Sequence, residues 1–480
     1  MKKYLILTLP LIIFQLGCSN KPVDHNRILG FWGTQINSDS GTQKFVLYFS
    51  EGKKGLQCQF HSYSNGIKFS SENGADINFN GESLSFMANQ MADVRYEGTV
   101  DTVNKTITGG LKYSDGSKMD LNLRKISNEQ LAKDYPGLLS LSGNAGLIEQ
   151  PEETKDGWNI GKLSESNIDR TLLQTMVDSI NYGRFGKVHS VLIAKNGRLI
   201  FEKYFDGFYI NDLNSLQSCT KSIGSILIGI AIDKGYIKSV DEKLIDFFPA
   251  YKGNVGEEWN KVELKHLLTQ STGIDWKKDF HDKIYQISND VIKTTFEQKF
   301  SHAPGKIFEY RNPQIDLLSG IIIKSSQMSV QDFAEKYLFK PLNISKFYWP
   351  DFKKTDYPLM SGSLALSSRD MLKIGRLVLD EGKWGGKQVV SKGWIEESTS
   401  FKIKSDQTFN YGYLWWLGES KNKPGLKVIF AMGGRGQLII IVPKENLVAA
   451  ITADNMDRGA GILLTMVDDY IINAIKVVKK

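Results

Sequence analysis

Cysteine is scarce in this chain of 480 residues, which contains only Cys18, Cys58 and Cys219. Cys18 ends an apolar N-terminal run, and the other two cysteines lie in different predicted domains. A disulfide framework is therefore not expected, even in an oxidising compartment. Histidine is scarce too, and the six histidines show no paired ligand spacing. The sequence thus predicts neither a metal site nor any other cofactor.

A concentrated charge of one sign is also missing. The net charge is +7, but Lys and Arg are scattered among Asp and Glu rather than clustered. Because zinc-finger spacings and nucleotide-binding glycine motifs are absent as well, the sequence predicts a mixed solvated surface and no nucleic-acid partner. The hydrophobic share of 41% and the charged share of 24% are typical of a globular protein, and the length suggests about two or three domains.

The N-terminus has the pattern of an export signal. Lys2 and Lys3 precede an apolar run over residues 4–16, which is too short to cross a bilayer. The run ends at Gly17-Cys18 and resembles the lipobox of bacterial lipoproteins, although Gln15 departs from it. We predict a lipoprotein-type signal over residues 1–18, with lipidated Cys18 anchoring an exported protein at the cell envelope, on the periplasmic side or the outer surface. The alternative is an ordinary cleaved signal with a chance cysteine.

Residues 28–126 alternate apolar and polar side chains between turn signals such as Asn80-Gly81 and Asp115-Gly116. Short strands at this spacing predict a small antiparallel barrel or sandwich. Its role is either that of a ligand- or glycan-binding module or that of a structural spacer or docking domain, and the second is favoured because no residue here indicates a ligand. The polar residues 127–160 are predicted to form a linker with partial order.

Residues 161–480 are predicted to form an α+β domain. Strands come first, helices occupy the middle, and strands return before a final helix, which suits a domain whose two ends contribute to one sheet. The expected strands are 190–195, 198–204, 428–431, 438–442 and 447–452, and the expected helices are 168–180, one directly after Ser218, and 460–478.

The strongest chemical signal is Ser218-Cys219-Thr220-Lys221 in front of a helical apolar run. Ser218 would lie at the helix start, where free N–H groups favour a developing negative oxygen. Lys221 follows on the same face one turn later, and a buried lysine can be neutral enough to take the serine proton. Taken alone, the tetrapeptide is better explained by Ser218 as a plain helix cap, so the interpretation as a nucleophile depends on the residues that follow.

Two later stretches add partners for this pair. Tyr310 can pass a proton to a leaving group, and the Asn312 amide can hold both the lysine and a substrate carbonyl. Gly433 and Gly434 stand beside an apolar strand, where glycines allow a substrate backbone to approach closely. An N–H from this glycine pair, together with that of Ser218, is the predicted oxyanion hole.

S-x-x-K, then Y-x-N, then a glycine-rich strand together resemble the serine β-lactamase and penicillin-binding-protein superfamily. The class C-like hydrolases and esterases, including the 6-aminohexanoate-dimer hydrolase type, are the most similar. The resemblance implies a β-lactamase/transpeptidase-like fold, with Ser218 as acylated nucleophile, Lys221 as its base, Tyr310 as proton carrier and Asn312 as a positioning residue. The sequence departs from the β-lactamase pattern because no Lys-Thr-Gly or His-Thr-Gly stands near Gly433; Arg435 is either its substitute or a surface residue.

We therefore predict a serine hydrolase that forms an acyl-enzyme on a small ester or amide. One alternative is a D-alanyl-D-alanine carboxypeptidase or class C-like β-lactamase of the cell envelope, which the missing basic triplet disfavours. Another is a non-catalytic envelope binding protein or sensor, which the presence of Ser218, Lys221 and Tyr310 disfavours. Trp415 and Trp416 are expected either to line the cleft or to belong to the core, and Cys219 is expected in the core.

Overall fold

The structure is a computed structural model that describes residues 24–476 except for short gaps. The gaps are residues 39–40, 53–54, 65–66, 90–92, 136, 139–149, 277–279, 354, 406–407 and 457–458. The predicted signal with Cys18 therefore lies outside the described residues. The chain divides into two compact units. The first takes in the described residues up to Ser62 and Ser70–Ser127, and the second takes in Tyr63–Phe69 and the described residues from Asn128 onward.

The first unit is all β, as the alternating pattern predicts. Its strands pair in the order β4-β3-β2-β1-β10-β8-β7-β6-β5, with β9 beside β8. The strands are β1 Gly30–Ser38, β2 Gly41–Gly52, β3 Gly55–Ser64, β4 Ile67–Asn73, β5 Ala75–Phe79, β6 Ser83–Asn89, β7 Val94–Asp101, β8 Thr106–Lys112, β9 Lys118–Asp120 and β10 Leu123–Lys125.

One core fills the first unit, because inward-pointing residues of β1, β2, β3, β6, β7, β8 and β10 pack together. Trp32 is buried there, and its indole N–H donates to the Ile28 carbonyl at 2.7 Å. Gly81 and Gly116 have φ values of 99° and 83°, so the predicted turns at these glycines occur where only glycine is unstrained. A sheet that curves around a single core confirms the prediction of a small antiparallel β domain.

The second unit contains the predicted α+β arrangement. Among the described residues, nine of its strands form one sheet in the order β11-β13-β12-β23-β22-β21-β20-β19-β18. These strands are β11 Asn159–Ile160, β12 Val188–Lys195, β13 Arg198–Tyr204, β18 Ile403–Lys404, β19 Asn410–Tyr411, β20 Trp416–Glu419, β21 Lys427–Gly433, β22 Gln437–Val442 and β23 Leu447–Ala453.

The central strands of this sheet come from opposite ends of the unit. Strand β12 pairs antiparallel with β23, with Lys195 opposite Leu447 and Leu192 opposite Ala450. Strands β12 and β13 form the expected hairpin, whose turn residues Asn196 and Gly197 both have positive φ. The shorter strands elsewhere in the unit are β14 Leu213–Ser215, which pairs with β15 Ala365–Ser367, and β16 Lys383–Trp384, which pairs with β17 Lys387–Gln388.

Helices supply the rest of the second unit. They are α1 Asn128–Asp134, α2 Arg170–Asn181, α3 Cys219–Asp233, α4 Leu264–Leu268, α5 Phe280–Ile287, α6 Val291–Phe296, α7 Asn312–Ser326, α8 Val330–Ala334, α9 Ser368–Leu379, α10 Lys392–Ser398 and α11 Gly461–Met466. The last helix continues as a π-helical turn over Val467–Ile472, so it is shorter than the predicted 460–478, whose end lies outside the described residues. In the described part of the chain, no helix is both long and apolar enough to span a bilayer.

A buried ion pair fixes the start of α9 against the sheet. Arg369 donates to both carboxylate oxygens of Glu202, at 2.7 Å from Nε and 2.5 Å from the terminal nitrogen. Only 1% of the Arg369 side chain and 4% of the Glu202 side chain are exposed. Arg369 also donates to Thr154 and to the Glu152 carbonyl, so its charge is fully hydrogen-bonded. Removing one partner would leave a buried charge without compensation.

We expect Arg369→Met to lower the free energy of unfolding by about 3–5 kcal/mol, because Glu202 would be left buried and unpaired. Urea denaturation followed by intrinsic fluorescence measures this loss. The matched control is Lys252→Met, which breaks the exposed pair with Asp246 and should cost less than about 1 kcal/mol. Equal losses in the two variants would show that the Arg369 pair contributes no more than a surface pair.

Candidate active site

Ser218 stands immediately before α3, on a turn whose backbone is held in an unusual conformation. The preceding residue, Gln217, has a φ of 49°, which a residue with a side chain rarely adopts. The N–H groups of Cys219 and Thr220 donate to the Leu216 and Gln217 carbonyls, while the Ser218 N–H has no backbone acceptor in the described part of the chain. The Ser218 side chain makes no capping hydrogen bond, so the helix-cap interpretation does not describe this serine.

Lys221 lies one turn into α3 and is buried, with 1% of its surface exposed. Its Nζ lies 2.8 Å from Ser218 Oγ, 2.8 Å from Asn312 Oδ1 and 2.7 Å from the Ser361 carbonyl oxygen. Burial lowers the Lys221 pKa to about 7, against the opposing charge of Asp316. An appreciable fraction of this amine is therefore neutral near pH 7.

The three neighbours of Lys221 suit a lysine that can hold a proton or take one from Ser218. A neutral amine has two N–H donors and one lone pair, whereas a charged ammonium has three donors and no lone pair. Asn312 Oδ1 and the Ser361 carbonyl can only accept, so they take the two donors. The charged form donates its third N–H to Ser218 Oγ; in the neutral form the lone pair can face the Ser218 hydroxyl, the one group of the three that carries a proton to give. The geometry is that of a base beside its nucleophile.

Tyr310 completes the group from the loop that leads into α7. Lys221 Nζ lies 4.9 Å from the centre of the Tyr310 ring, and the phenol interacts with Ser218 through a hydrogen bond. Burial raises the pKa of the phenol, so Tyr310 keeps its proton at neutral pH. The ring stacks on Trp416 with centroids 5.7 Å apart. A protonated phenol held in this position can hand a proton to a leaving group.

The loop with Tyr310 is held from both sides by one residue that the sequence interpretation did not single out. The Gln270 carbonyl accepts the Glu309 N–H at 2.7 Å, and its side-chain oxygen accepts the Arg311 N–H at 3.1 Å. Gln270 is fully buried and has a φ of 56°. Its stretch contributed to the family resemblance, but nothing in the sequence pointed to contact with the residues flanking Tyr310.

Asp316 is a second residue that sequence analysis missed. It lies on α7, one turn after Asn312, and is fully buried. Its carboxylate accepts the Ser361 N–H at 2.8 Å and the Tyr285 hydroxyl at 2.7 Å. Burial raises the Asp316 pKa to about 6, while the charge of Lys221 opposes that rise. The available signal was a carboxylate four residues after Asn312, flanked by the apolar residues Ile315 and Leu317.

Gly433 brings the end of β21 against the turn that carries Ser218. A Cβ at this position would lie 2.4 Å from the Leu216 carbonyl oxygen and 3.1 Å from the Gln217 Cβ, so only glycine fits. A Cβ at Gly434 would find 3.9 Å to its nearest neighbour, which is ordinary contact. Both glycines thus lie beside the serine turn, where the sequence placed them. Their role in an oxyanion hole stays a prediction.

The remaining predicted residues divide between core and surface. Trp415 is buried in the core, whereas Trp416, also buried, packs directly on Tyr310. Cys219 is buried, its thiol lies 3.4 Å from the Gln437 carbonyl oxygen, and burial raises the thiol pKa. Arg435 is half-exposed and pairs with Asp454 at 3.1 Å. Among the described residues, no set of three His, Cys, Asp or Glu side chains is arranged to hold a metal ion.

The structure therefore brings Ser218, Lys221, Tyr310 and Asn312 together around one hydroxyl, and places Gly433 and Gly434 beside the same turn. Cys18, the predicted lipidation residue, lies outside the described residues. Such a constellation, on a mixed sheet flanked by helices, defines a class of serine enzymes in which a lysine serves the nucleophile.

Comparison with known proteins agrees with this class. The Beta-lactamase family model matches residues 184–463, and the chain belongs to that family. It is a serine hydrolase of the β-lactamase and penicillin-binding-protein superfamily, as the motifs predicted, and its α+β fold is the β-lactamase/transpeptidase-like one.

Individual relatives are distant. The chain is 22% identical over 284 residues to a 6-aminohexanoate-dimer hydrolase of Paenarthrobacter ureafaciens. This alignment covers 54% of this chain and 70% of the relative. Among solved structures, EstCE1, a hydrolase with promiscuous acyltransferase activity, superimposes with a TM-score of 0.53 and 13% identity, over 62% of this chain and 97% of that one. The octameric penicillin-binding protein homologue of Pyrococcus abyssi gives a TM-score of 0.52 and 20% identity, over 63% and 76%. Identities this low establish the fold alone.

We expect Gly433→Ala to slow the reaction of Ser218 with a fluorophosphonate probe by about 10²-fold, because the new methyl group would push the serine turn out of place. The rate of probe labelling measures this effect, and a thermal melt checks that the variant is folded. Gly393→Ala, in open space on α10, is the control and should label at the wild-type rate. Unchanged labelling of Gly433→Ala would contradict the close approach.

Proposed function

We propose that the protein hydrolyses a small ester or amide through an acyl-enzyme on Ser218. The observation that carries this proposal is the arrangement around Lys221: its Nζ donates to two carbonyl oxygens and lies 2.8 Å from Ser218 Oγ, from which its neutral form can take a proton. Desolvation makes the neutral amine accessible near pH 7, where a base of matched pKa is most effective.

The chemistry follows from the contacts. The Ser218 Oγ–H bond breaks as its proton passes to Lys221, while Oγ bonds to the substrate carbonyl carbon. The oxygen of the tetrahedral intermediate is stabilised by the Ser218 N–H and an N–H of the Gly433–Gly434 stretch. Tyr310 gives its proton to the leaving alcohol or amine and regains one from the Lys221 ammonium. Water then takes the place of the leaving group and attacks the acyl carbon, and its proton passes back through Tyr310 and Lys221 to Ser218 Oγ. This step breaks the ester bond to Ser218 and releases the acid.

A buried aromatic cluster fixes the Tyr310 ring, and the cation considered for a substrate carboxylate is already paired. Trp416 stacks on Tyr310, and Tyr411 and Phe308 pack around it with ring centroids 4.8 Å and 6.1 Å from Trp416. A carboxylate-binding cation is the feature that a peptidoglycan-type or penicillin substrate would need, and Arg435, the residue considered for it, is paired with Asp454. The name of the 6-aminohexanoate-dimer hydrolase relative is consistent with an amide substrate.

Ser218→Ala is expected to abolish probe labelling and to reduce hydrolysis of a chromogenic ester by about 10⁴-fold or more, because the nucleophile is removed. Intact-mass analysis after a fluorophosphonate probe, with the modified residue mapped, tests both points. The control is Ser400→Ala, which should retain wild-type turnover. Ser400 is exposed, and its hydroxyl donates a hydrogen bond to the Glu397 carbonyl.

The other functional classes give distinct results in the same assay. Equal turnover by the wild type and Ser218→Ala would refute the acyl-enzyme proposal. A stable adduct of a fluorescent penicillin on Ser218, without ester turnover, would favour the carboxypeptidase or β-lactamase alternative. A folded protein that reacts with no active-serine probe would favour a binding protein or sensor.

We further propose that the enzyme works at the cell envelope, held on a membrane surface through lipidated Cys18. The support is the basic start, the short apolar run and the Gly17-Cys18 pair of the sequence. A single acyl chain binds a bilayer only reversibly. A lipidated Cys18 can therefore hold the enzyme at a membrane without a spanning helix when it carries more than one acyl chain.

Expression in a bacterial host fed an alkyne-tagged fatty acid tests this anchor. The wild type should carry the tag and sediment with membranes, and Cys18→Ser should lose both properties because the acceptor thiol is gone. Cys58→Ser, which replaces a buried cysteine of the first unit, is the control and should remain tagged. An untagged wild type recovered without membranes would leave the ordinary cleaved signal as the explanation.

A further inference from the structure

A buried carboxylate lies behind the proposed base and is separated from it by a single residue. Asp316 Oδ1 accepts the Ser361 N–H at 2.8 Å, and the carbonyl oxygen of the same Ser361 accepts from Lys221 Nζ at 2.7 Å. Asp316 Oδ2 also lies 3.2 Å from the Ser361 hydroxyl. Asp316 thus grips both the backbone and the side chain of the residue that holds the amine.

Burying the Asp316 carboxylate costs free energy unless hydrogen bonds and a nearby cation compensate for its charge. Asp316 is fully buried, Ser361 is 5% exposed and Lys221 is 1% exposed, so water cannot solvate the carboxylate. Its compensation is local: two hydrogen bonds from Ser361 and one from Tyr285, with the cationic form of Lys221 beyond Ser361. Asn312, which contacts the amine directly, lies one turn earlier on the same helix.

We propose that Asp316 is the positioning residue of Lys221. Asp316 fixes the Ser361 carbonyl that accepts a hydrogen bond from Lys221, and its buried negative charge keeps Lys221 protonated up to a pH near neutrality. This inference rests on the proposed function, in which Lys221 is the base. The titratable groups that face the pair are Cys219 and Tyr310 on the Lys221 side and Tyr285 and Tyr357 on the Asp316 side. At neutral pH these four are uncharged, so Asp316 is the charge that faces Lys221.

The charge of Asp316 opposes the effect of burial on the Lys221 pKa. Burial alone would favour a neutral Lys221 at much lower pH, and an amine that loses its proton so easily is a weak base. A nearby anion opposes this effect and keeps the amine basic enough to take the serine proton. Loss of the anion is therefore expected to extend activity to lower pH while lowering its maximum.

The test is the pH dependence of Ser218 acylation by a chromogenic ester between pH 5 and 9, measured as kcat/KM. In the wild type, kcat/KM should rise with pH through about 7, because the active form carries a neutral Lys221 and that pKa is about 7. Asp316→Asn keeps the size and hydrogen-bonding capacity of the side chain but removes its charge. Its rising limb should move to lower pH by about one unit or more, and its plateau should fall.

Ser319→Ala is the matched control, since Ser319 is buried on the same helix and donates to the Pro358 carbonyl at 2.7 Å, without contact to the pair. Its rising limb should coincide with that of the wild type. If Asp316 had a purely structural role, Asp316→Asn would lower the plateau of kcat/KM but leave the pH at which kcat/KM rises unchanged. This result would overturn the inference.

Tyr285→Phe provides a second route should Asp316→Asn fail to fold. It removes a hydrogen bond that favours the ionised carboxylate, so the limb should move in the same direction by a smaller amount. An unmoved limb in Tyr285→Phe would likewise overturn the inference. Failure of the wild type to acylate Ser218 is a different result, since it refutes the proposed function itself.

Discussion

A lysine amine that must be uncharged in a protein interior is the constraint around which the second unit is arranged. Desolvation supplies the neutral form, and three fixed partners decide in which direction its lone pair points. Each partner comes from a different part of the chain: Ser218 from the turn before α3, Asn312 from the start of α7 and Ser361 from the segment before β15. Displacement of any of these segments would change the hydrogen bonds on which the chemistry depends.

Much of this site follows from the sequence because its residues obey local rules. Ser218 and Lys221 share a helix face three residues apart, so their contact follows from helix geometry alone. Pro313 at the second position of α7 suits a helix start and explains why Asn312 lies at the mouth of that helix. The Asn196-Gly197 hairpin is an equally local signal that the fold bears out. The pairing of strands from the two ends of the unit is a long-range contact, but the order of strands and helices along the chain predicted it.

The missed residues act over long range. Gln270 is about forty positions before Tyr310, and its contacts with Glu309 and Arg311 run largely through backbone groups, which leave no trace in residue type. The hydrogen bonds that link Asp316 to Lys221 run through Ser361, a residue that belongs to no recognisable sequence motif. The close approach at Gly433 was expected from glycine at a strand edge, but its partner, the Leu216 carbonyl, could be identified only from coordinates.

The pairing of β12 with β23 has a consequence for how this protein is made. Lys195 and Leu447 face each other although 447 − 195 = 252 residues separate them along the chain. The middle of the supporting sheet can therefore close only after β23 has been synthesised, and such distant pairings are slow to form. During translation the growing chain lacks its central strand partner, so it stays open for longer than a domain built from neighbouring segments. Under the proposed export of this chain, that order of assembly would leave time for it to cross a membrane before the sheet closes.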